Sequence, residues 1–306
     1  MYRISKIKDC FFITLAIVAS GVLFSCGGFN RIAKSGDYLY RYEAAKQYYA
    51  DGKYTKAVVL LQDVISVLKG TDKGEESLYL LGMSAYKGRD YEAAANFFKK
   101  YYESYPNGLY TEDARYYNAM ALYNNTPEPK LDQTETYEAV TAFQNLIELY
   151  PQSMYVKDAQ DMIFKLQDKL VEKEYLSAKT YFDLGSYFGN CSFGGNNYQA
   201  CIITAENAMR DYPYSKRRED FAIMLLKAKY LLATHSVEAR KRERLDAAAE
   251  EYYAFVNEFP ESRYMDVAKT LFAKTQKKDN SETLKEEKKS EKELAKQIKN
   301  DKDIKK

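Results

Sequence analysis

The chain has 306 residues, of which 46% are hydrophobic and 29% are charged, so it is long enough to bury a continuous core. Its formal net charge of +2 gives neither the basic field typical of nucleic-acid-binding proteins nor an acidic excess. Thirty tyrosines, no tryptophan, six prolines and fourteen glycines leave few of the turn signals that a β-sheet protein needs. The composition therefore favours helices.

Residues 1–25 are predicted to be a lipoprotein signal peptide. They begin with basic residues, and the apolar run at 11–22 is too short to span a bilayer, which takes about 20 residues. Residues 23–26, Leu-Phe-Ser-Cys, resemble the lipobox that is cleaved just before its cysteine, although phenylalanine is larger than the residue usual there. We expect Cys26 to carry a diacylglycerol and an N-acyl chain, which anchor a protein stably. The alternative is that Cys26 merely ends a signal anchor.

The residue after this cysteine bears on the compartment. Gly27 stands where an aspartate is associated with retention in the inner membrane, so the lipobox resemblance implies an outer-membrane anchor. We expect the protein to face the periplasm, and the outside of the cell is the alternative. Residues 26–37 are interpreted as an anchor linker.

An internal repeat begins after the linker. Ala45 recurs as Gly82 and then as Ala119, at a step of 37 residues. The spacing of small residues, an aromatic residue and a proline resembles the tetratricopeptide repeat (TPR), a pair of antiparallel helices. The small residues let the two helices approach closely, and the proline ends the second helix. An aromatic residue followed by a proline recurs four times, at Pro106, Pro151, Pro213 and Pro260.

The sequence therefore predicts an all-α fold, a TPR solenoid over residues 38–276 with about five helix pairs and a terminal helix. The last helix is predicted to end near 276, and a loop at 124–134 interrupts the third pair. Residues 154–188 exceed one ordinary repeat helix and are predicted to break near Val171. The pairs are predicted at about 38–69, 74–106, 109–151, 154–213 and 215–260.

Two cysteines, Cys191 and Cys201, lie ten positions apart across a glycine-rich stretch. In an oxidising compartment they could form a disulfide, and the alternative is two separate buried thiols. Neither has metal-ligand spacing, and His235 is the only histidine, which argues against a zinc site. We expect no cofactor besides the lipid on Cys26. Residues 277–306 are a charged tail, either disordered or a lone polar helix.

A more specific signal lies at residues 150–159, Tyr-Pro-Gln-Ser-Met-Tyr-Val-Lys-Asp-Ala. Together with 166–178 and 209–213, this run resembles the BamD family, lipoproteins of the machinery that assembles β-barrels in outer membranes. The resemblance covers residues 26 to about 276. The insertion at 189–197 and the charged tail depart from the family.

The resemblance implies partners for each half of the repeat region. Members of the family bind BamA, the barrel-forming insertase, through C-terminal repeats, and are thought to receive the C-terminal segment of unfolded barrel proteins through N-terminal repeats. It implies client-side repeats at residues 38–151 and partner-side repeats at 152–276. The expected partners are a BamA-like insertase, unfolded outer membrane β-barrel proteins and outer membrane lipid, with no nucleic acid.

Six tyrosines recur in register in the first three helix pairs. Positions in a repeat are counted with Glu75 as position 1 of the second repeat. Positions 5 and 12 both lie on the first helix, seven residues apart, so they share a face. In a TPR that face generally lines the groove, which predicts two rows of rings suited to an extended, aromatic-rich peptide. The alternative is that these rings simply pack neighbouring helices together. The tyrosines are Tyr42, Tyr79 and Tyr116 at position 5, and Tyr49, Tyr86 and Tyr123 at position 12.

Other classes of function are disfavoured by what the sequence lacks. It has no phosphate-binding glycine loop, no C-x-x-C and no second histidine, so we expect that the protein is not an enzyme. Some sugar-capturing lipoproteins of the outer membrane also use these repeats, but they usually stack sugars on tryptophan, and this chain has none. A glycan- or nutrient-binding lipoprotein and a generic envelope scaffold are the alternatives.

Overall fold

The computed structural model describes residues 28–185, 187 and 196–276. The chain divides into two compact units, the first ending at Leu166 and the second beginning at Gln167. Every regular element among the described residues is a helix. The predicted signal peptide, Cys26, Cys191 and the charged tail lie outside the described residues, so the predictions made for them stay predictions.

The first unit contains three antiparallel helix pairs, preceded by a short helix α1 at 28–33 and followed by the start of a long helix, α8. These bounds confirm the first three predicted pairs and the loop that interrupts the third. The pairs are α2 (Tyr38–Ala50) with α3 (Tyr54–Val67), α4 (Asp72–Lys87) with α5 (Tyr91–Ser104), and α6 (Thr111–Asn125) with α7 (Thr134–Leu149).

The second unit holds the rest of α8 and the remaining pairs. Its helices are α8 (Val156–Leu184), α9 (Asn197–Asp211), α10 (Arg218–Thr234), α11 (Glu238–Glu258) and α12 at 265–276. The division between the two units falls within α8, after Leu166. The predicted split into client-side repeats at 38–151 and partner-side repeats at 152–276 concerns binding and stays a prediction.

The predicted break of α8 near Val171 is wrong, because α8 is one helix of 29 residues. No proline or glycine occurs between Val156 and Leu184, so no residue removes a backbone hydrogen bond or adds local freedom. Val171 is itself 3% exposed and packs in the core of the second unit. Burial of this apolar position holds the helix continuous where length alone predicted a break.

Close approach of paired helices explains the small residues of the repeat. A Cβ added to Gly82 in α4 would lie 2.7 Å from Cε1 of Phe98 in α5, too close for any real contact. Phe98 is fully buried. Ala45 and Ala119, which occupy the position of Gly82 in the neighbouring pairs, are fully buried as well. The residue types that predicted the repeat are therefore those that its interior requires.

The predicted anchor linker is partly a helix. Residues 28–33 form α1, and its apolar residues Phe29, Ile32 and Ala33 pack against the core of the first unit. The Phe29 ring meets the Tyr48 ring edge-on, with 5.7 Å between centroids. Spacing of three and four residues puts these side chains on one face, so the short segment covers apolar surface of the first helix pair.

Candidate functional site

Two of the predicted tyrosines, Tyr79 and Tyr116, each stack on a tyrosine that immediately precedes the first helix of the next repeat. The Tyr79 ring lies parallel to that of Tyr110, with 4.3 Å between centroids and 7° between planes. Tyr116 and Tyr155 stack in the same way, at 4.0 Å and 10°. Tyr110 immediately precedes α6 and Tyr155 immediately precedes α8. Stacked aromatic pairs thus join the second helix pair to the third, and the third to the start of α8.

The Tyr116–Tyr155 stack is closed by two carboxylates. The Tyr155 hydroxyl donates to Oδ1 of Asp113 at 2.7 Å, and the Tyr116 hydroxyl donates to Oδ2 of Asp158. Burial, and then the neighbouring carboxylate, raises the pKa of both phenols above the ordinary value of 10.0. Both phenols are therefore neutral hydrogen-bond donors at physiological pH, and both rings are held in place.

A third carboxylate, Glu75, anchors the Tyr79 stack. The Tyr101 hydroxyl donates to Oε1 of Glu75 at 2.5 Å, and the same oxygen accepts from the backbone N–H of Leu109 at 2.7 Å. The backbone N–H of Tyr110 in turn donates to the Tyr101 hydroxyl at 3.0 Å. Burial and then Glu75 raise the Tyr101 pKa. This partly buried network fixes the turn that carries Tyr110.

Tyr42 does not belong to an accessible row. Its side chain is 2% exposed, and its hydroxyl donates to Oε2 of Glu76 at 2.5 Å. Glu76 also pairs with Lys46 at 2.7 Å. The prediction that Tyr42 lines a peptide groove is therefore wrong, because the ring packs between helices as the alternative expects.

The other five predicted tyrosines keep part of their surface in solvent. Tyr49 meets Tyr54 edge-on at 5.7 Å, and Tyr86 meets Tyr117 edge-on at 5.3 Å. The Tyr86 hydroxyl also accepts from Nδ2 of Asn124 at 3.2 Å. These rings pack between helices and also present a partly accessible edge, so the structure combines the two interpretations.

The phenols of α2, α4 and α6 lie close enough to influence one another. Burial raises the pKa of Tyr49, and the phenols of Tyr54 and Tyr117 add to the effect. Burial likewise raises the pKa of Tyr79, to which Asp113 and the phenols of Tyr117, Tyr155 and Tyr49 contribute. We define the phenol surface as Tyr49, Tyr79, Tyr86, Tyr116, Tyr117 and Tyr155, together with Tyr123 from the predicted row. Its hydroxyls and aromatic edges suit a peptide with aromatic side chains.

Sequence reasoning missed the residues that hold the phenol surface in place. Tyr110 and Tyr155 each lie four residues after the proline that ends a second helix, and Asp113 and Asp158 follow three residues later. That shared spacing was visible in the sequence. Their stacking partners were not, because the spacing does not show which earlier helix each ring meets.

The second unit has a comparable polar cluster without the stack. Asp220 is buried and accepts hydrogen bonds from Arg217 at 3.0 Å, Arg263 at 2.5 Å and Tyr264 at 2.7 Å. Burial raises the pKa of Asp220, but these donors outweigh it and the net pKa is lowered. Arg217 also grips Glu172 with two hydrogen bonds, at 2.9 and 3.1 Å. These contacts tie α12 and α8 to α10.

Cys201 is fully buried and has no disulfide partner among the described residues, and burial raises the pKa of its thiol to about 12. The predicted disulfide partner Cys191 lies outside the described residues, so the pairing stays a prediction. Within the described ranges, no group of three or more His, Cys, Asp or Glu is placed to hold a metal ion. None of the helices described there is long and apolar enough to cross a bilayer.

Comparison with known proteins identifies relatives of this arrangement. The family model YfiO, described as an outer membrane lipoprotein, matches residues 37–192, just over half of the chain. An outer membrane protein assembly factor BamD of Caulobacter vibrioides is 23% identical over 192 residues, covering 60% of this chain and 62% of that protein. The factor of the same name from Neisseria meningitidis serogroup B is 26% identical over 180 residues, covering 54% and 64%. This chain therefore matches less than two thirds of the length of each.

Among solved structures, a thermophilic TPR protein of Thermus thermophilus aligns with 78% of this chain and 99% of its own. The identity is 15% and the TM-score is 0.30. The assignment of a TPR fold rests on the helix pairs of the chain itself, with their small residues at the close contacts and prolines at the helix ends.

Proposed function

This chain belongs to the YfiO family of outer membrane lipoproteins, and from that premise we propose that it is a lipid-anchored scaffold for outer membrane protein assembly. In this role it binds a BamA-like insertase and unfolded β-barrel proteins at the periplasmic face of the outer membrane. The role is one of binding and not of catalysis. The observation that carries the proposal is the family match, supported by the phenol surface of the first unit.

The proposed anchor lies close to the folded repeats. Cys26 precedes Phe29 by three residues, a reach of at most about 11 Å for an extended chain. Because Phe29 packs on the first helix pair through Tyr48, an acyl chain on Cys26 would hold that pair beside the lipid surface. Two or more acyl chains give anchoring that a single chain does not. The short tether supports a scaffold that works at the membrane surface.

The phenol surface supports a client-binding role for the first unit. Unfolded barrel strands are extended and alternate apolar and polar side chains, with aromatic residues near their ends. Partly accessible tyrosine rings can pack on such side chains while their hydroxyls bond to the peptide backbone. The stacks that hold Tyr79 and Tyr116 keep the rings ordered before binding, which lowers the entropic cost of binding.

The second unit presents apolar surface suited to a protein partner. Ile203 on α9, Val237 before α11 and Tyr253 on α11 are 52%, 72% and 56% exposed. A cavity of about 290 Å³ is lined by Ile203 and by Arg240 and Arg244 of α11. Exposed apolar groups beside arginines are typical of protein interfaces, which supports this unit as the insertase side.

The proposal is tested by affinity purification of the tagged chain from its own membranes after mild crosslinking. We expect a BamA-like barrel to be enriched at least tenfold over a preparation from the Cys26→Ser variant, which should lose the acyl mass and leave the membrane fraction. Recovery of glycan-transporting porins without an insertase would contradict the proposal and favour the nutrient-binding alternative.

A further inference from the structure

A cavity of about 590 Å³ lies in the first unit between the second helices α5 and α7, with α6 as its floor. Its floor residues Arg115, Asn118 and Leu122 form one stripe of α6. Tyr116 and Tyr123 of the phenol surface lie about 120° away around the same helix. The cavity is therefore separate from the phenol surface.

The side chain of Arg115 lies at the floor of this cavity in a fixed position. Its guanidinium lies over the Tyr102 ring at 4.3 Å, and the stack fixes the long side chain. Its Nε is enclosed by protein and has no hydrogen-bond partner. Arg115 takes part in none of the ion pairs between described residues, so its guanidinium lacks the carboxylate partner that a partly buried arginine usually has.

The walls add a second cation and neutral hydrogen-bonding groups. Lys99 of α5 is exposed and lines the cavity, and it likewise forms no ion pair with a described residue. Asn96 on α5 and Asn145 on α7 are exposed, and they line the cavity from its two opposite helices. An amide side chain can bond both the N–H and the C=O of an extended backbone. Glu138 on α7 is the one carboxylate among the lining residues.

We propose that this cavity binds an acidic segment of a partner protein, with a carboxylate of the segment paired to Arg115 and Lys99. A planar guanidinium with two free terminal nitrogens matches a carboxylate in a two-point contact, and the asparagines on either side match a peptide backbone. Two cations and one carboxylate give the cavity lining a net charge of +1. This matches a singly charged carboxylate better than a doubly charged phosphate, which Glu138 would repel more strongly. The inference goes beyond the proposed function and does not depend on it.

The test uses two synthetic ten-residue peptides, one with four glutamates in a Gly/Ser background and one with glutamine at those positions. Each carries a fluorophore, and binding to the detergent-solubilised mature chain is followed by fluorescence anisotropy at low salt. We expect the glutamate peptide to bind at least tenfold more tightly than the glutamine peptide, and the preference to shrink as salt screens the charges.

Two variants locate the binding. Arg115→Gln should weaken binding of the glutamate peptide about tenfold, the effect of losing one charge-assisted contact. Lys99→Glu, a change at an exposed position that leaves the core intact, should weaken it at least as much. Lys100→Glu is the matched control, because it makes the same change of charge next to Lys99 on α5, at a residue that lines a different cavity with Gln62 and Ser66.

The outcomes separate cleanly. Loss of glutamate-peptide binding in Lys99→Glu, with binding to Lys100→Glu unchanged and both variants folded by circular dichroism, supports the cavity as the site. Equal affinity for the two peptides, or an equal loss in Lys100→Glu, overturns it, because attraction would then be absent or spread over the surface. If Arg115→Gln fails to fold, Lys99→Glu alone decides the matter.

Discussion

The ring of Tyr155 stacks on the ring of Tyr116 at 4.0 Å, and each hydroxyl donates to an aspartate of the other's helix segment. The two tyrosines are far apart in sequence, one in α6 and the other just before α8. Their contact therefore sets how the third helix pair meets the start of α8 within the first unit. Asp113 accepts from Tyr155 and Asp158 accepts from Tyr116, so the two hydrogen bonds fix the orientation of each ring in the stack.

Changing Tyr155 tests the contribution of this contact to stability. Tyr155→Phe keeps the ring and loses the bond to Asp113, which should lower the free energy of unfolding by about 1 kcal/mol. Tyr155→Ala also removes the stacked ring and should cost about 3 kcal/mol. Urea unfolding followed by circular dichroism measures both. Tyr137→Phe is the control, since Tyr137 is 53% exposed, and an equal effect there would argue against the contact.

The tyrosines also predict a weakness at high pH. The pKa values of Tyr42, Tyr79, Tyr101, Tyr116 and Tyr155 lie above the ordinary 10.0, with burial the first cause in each. When the pH rises past 10.0, the unfolded chain loses phenol protons that the folded chain keeps, so stability falls.

Phenolate absorbance and circular dichroism against pH check this. We expect part of the phenolate signal to appear only as the helical signal is lost. Full titration of all tyrosines near pH 10 with the helices intact would contradict the pKa shifts.

Asp220 predicts the opposite pH dependence for the second unit. Burial raises its pKa, but the donors Tyr264, Arg217 and Arg263 bring it below the ordinary 3.8, so the stability it contributes is lost as pH falls through the folded value. Asp220→Asn should cost about 2 kcal/mol at neutral pH and flatten the loss of stability in acid. Urea unfolding at pH 7 and near pH 3 measures both effects. Asp246→Asn, at an exposed acid of α11, should change neither.

The phenol surface predicts an effect on peptide binding that must be separated from an effect on folding. Tyr79 contacts Phe98, Tyr101 and Tyr110, so Tyr79→Ala should lower the free energy of unfolding by about 3 kcal/mol. Combined with Tyr86→Ala, it should weaken binding of barrel C-terminal peptides at least tenfold.

Peptide binding should be measured at a temperature at which the Tyr79→Ala, Tyr86→Ala variant is folded. Tyr137→Ala serves as the control for a lost ring on the same unit. Unchanged peptide affinity with both rings gone would remove the phenol surface as the client site.

The helix pairs were predictable because their signals are local. A proline cannot donate a backbone hydrogen bond, so a helix ends two residues before each of the four prolines. These are Pro106, Pro151, Pro213 and Pro260. A serine two residues after a proline adds a second local signal, since Oγ of Ser153 accepts from the backbone N–H of Tyr155 at 3.1 Å. Local chemistry of this kind needs no knowledge of the tertiary fold.

What sequence reasoning missed depends on contacts between distant residues. The short helix α1 is below the length at which periodicity is informative, and only its packing on Tyr48 reveals it. Tyr42 and Tyr116 share a register position, yet Tyr42 is enclosed while Tyr116 is partly exposed, because different neighbours cover them. The Arg115 cavity likewise arises from three helices that no short motif connects.

The most direct test of the proposed role is the folding of a newly made outer membrane barrel after depletion of this protein in its own cell. A pulse label followed by semi-native electrophoresis measures how fast the barrel becomes heat-modifiable. We expect depletion to slow that step several-fold, and wild-type protein, but not the Cys26→Ser variant, to restore it. An unchanged rate of barrel folding in depleted cells would contradict a role in outer membrane protein assembly.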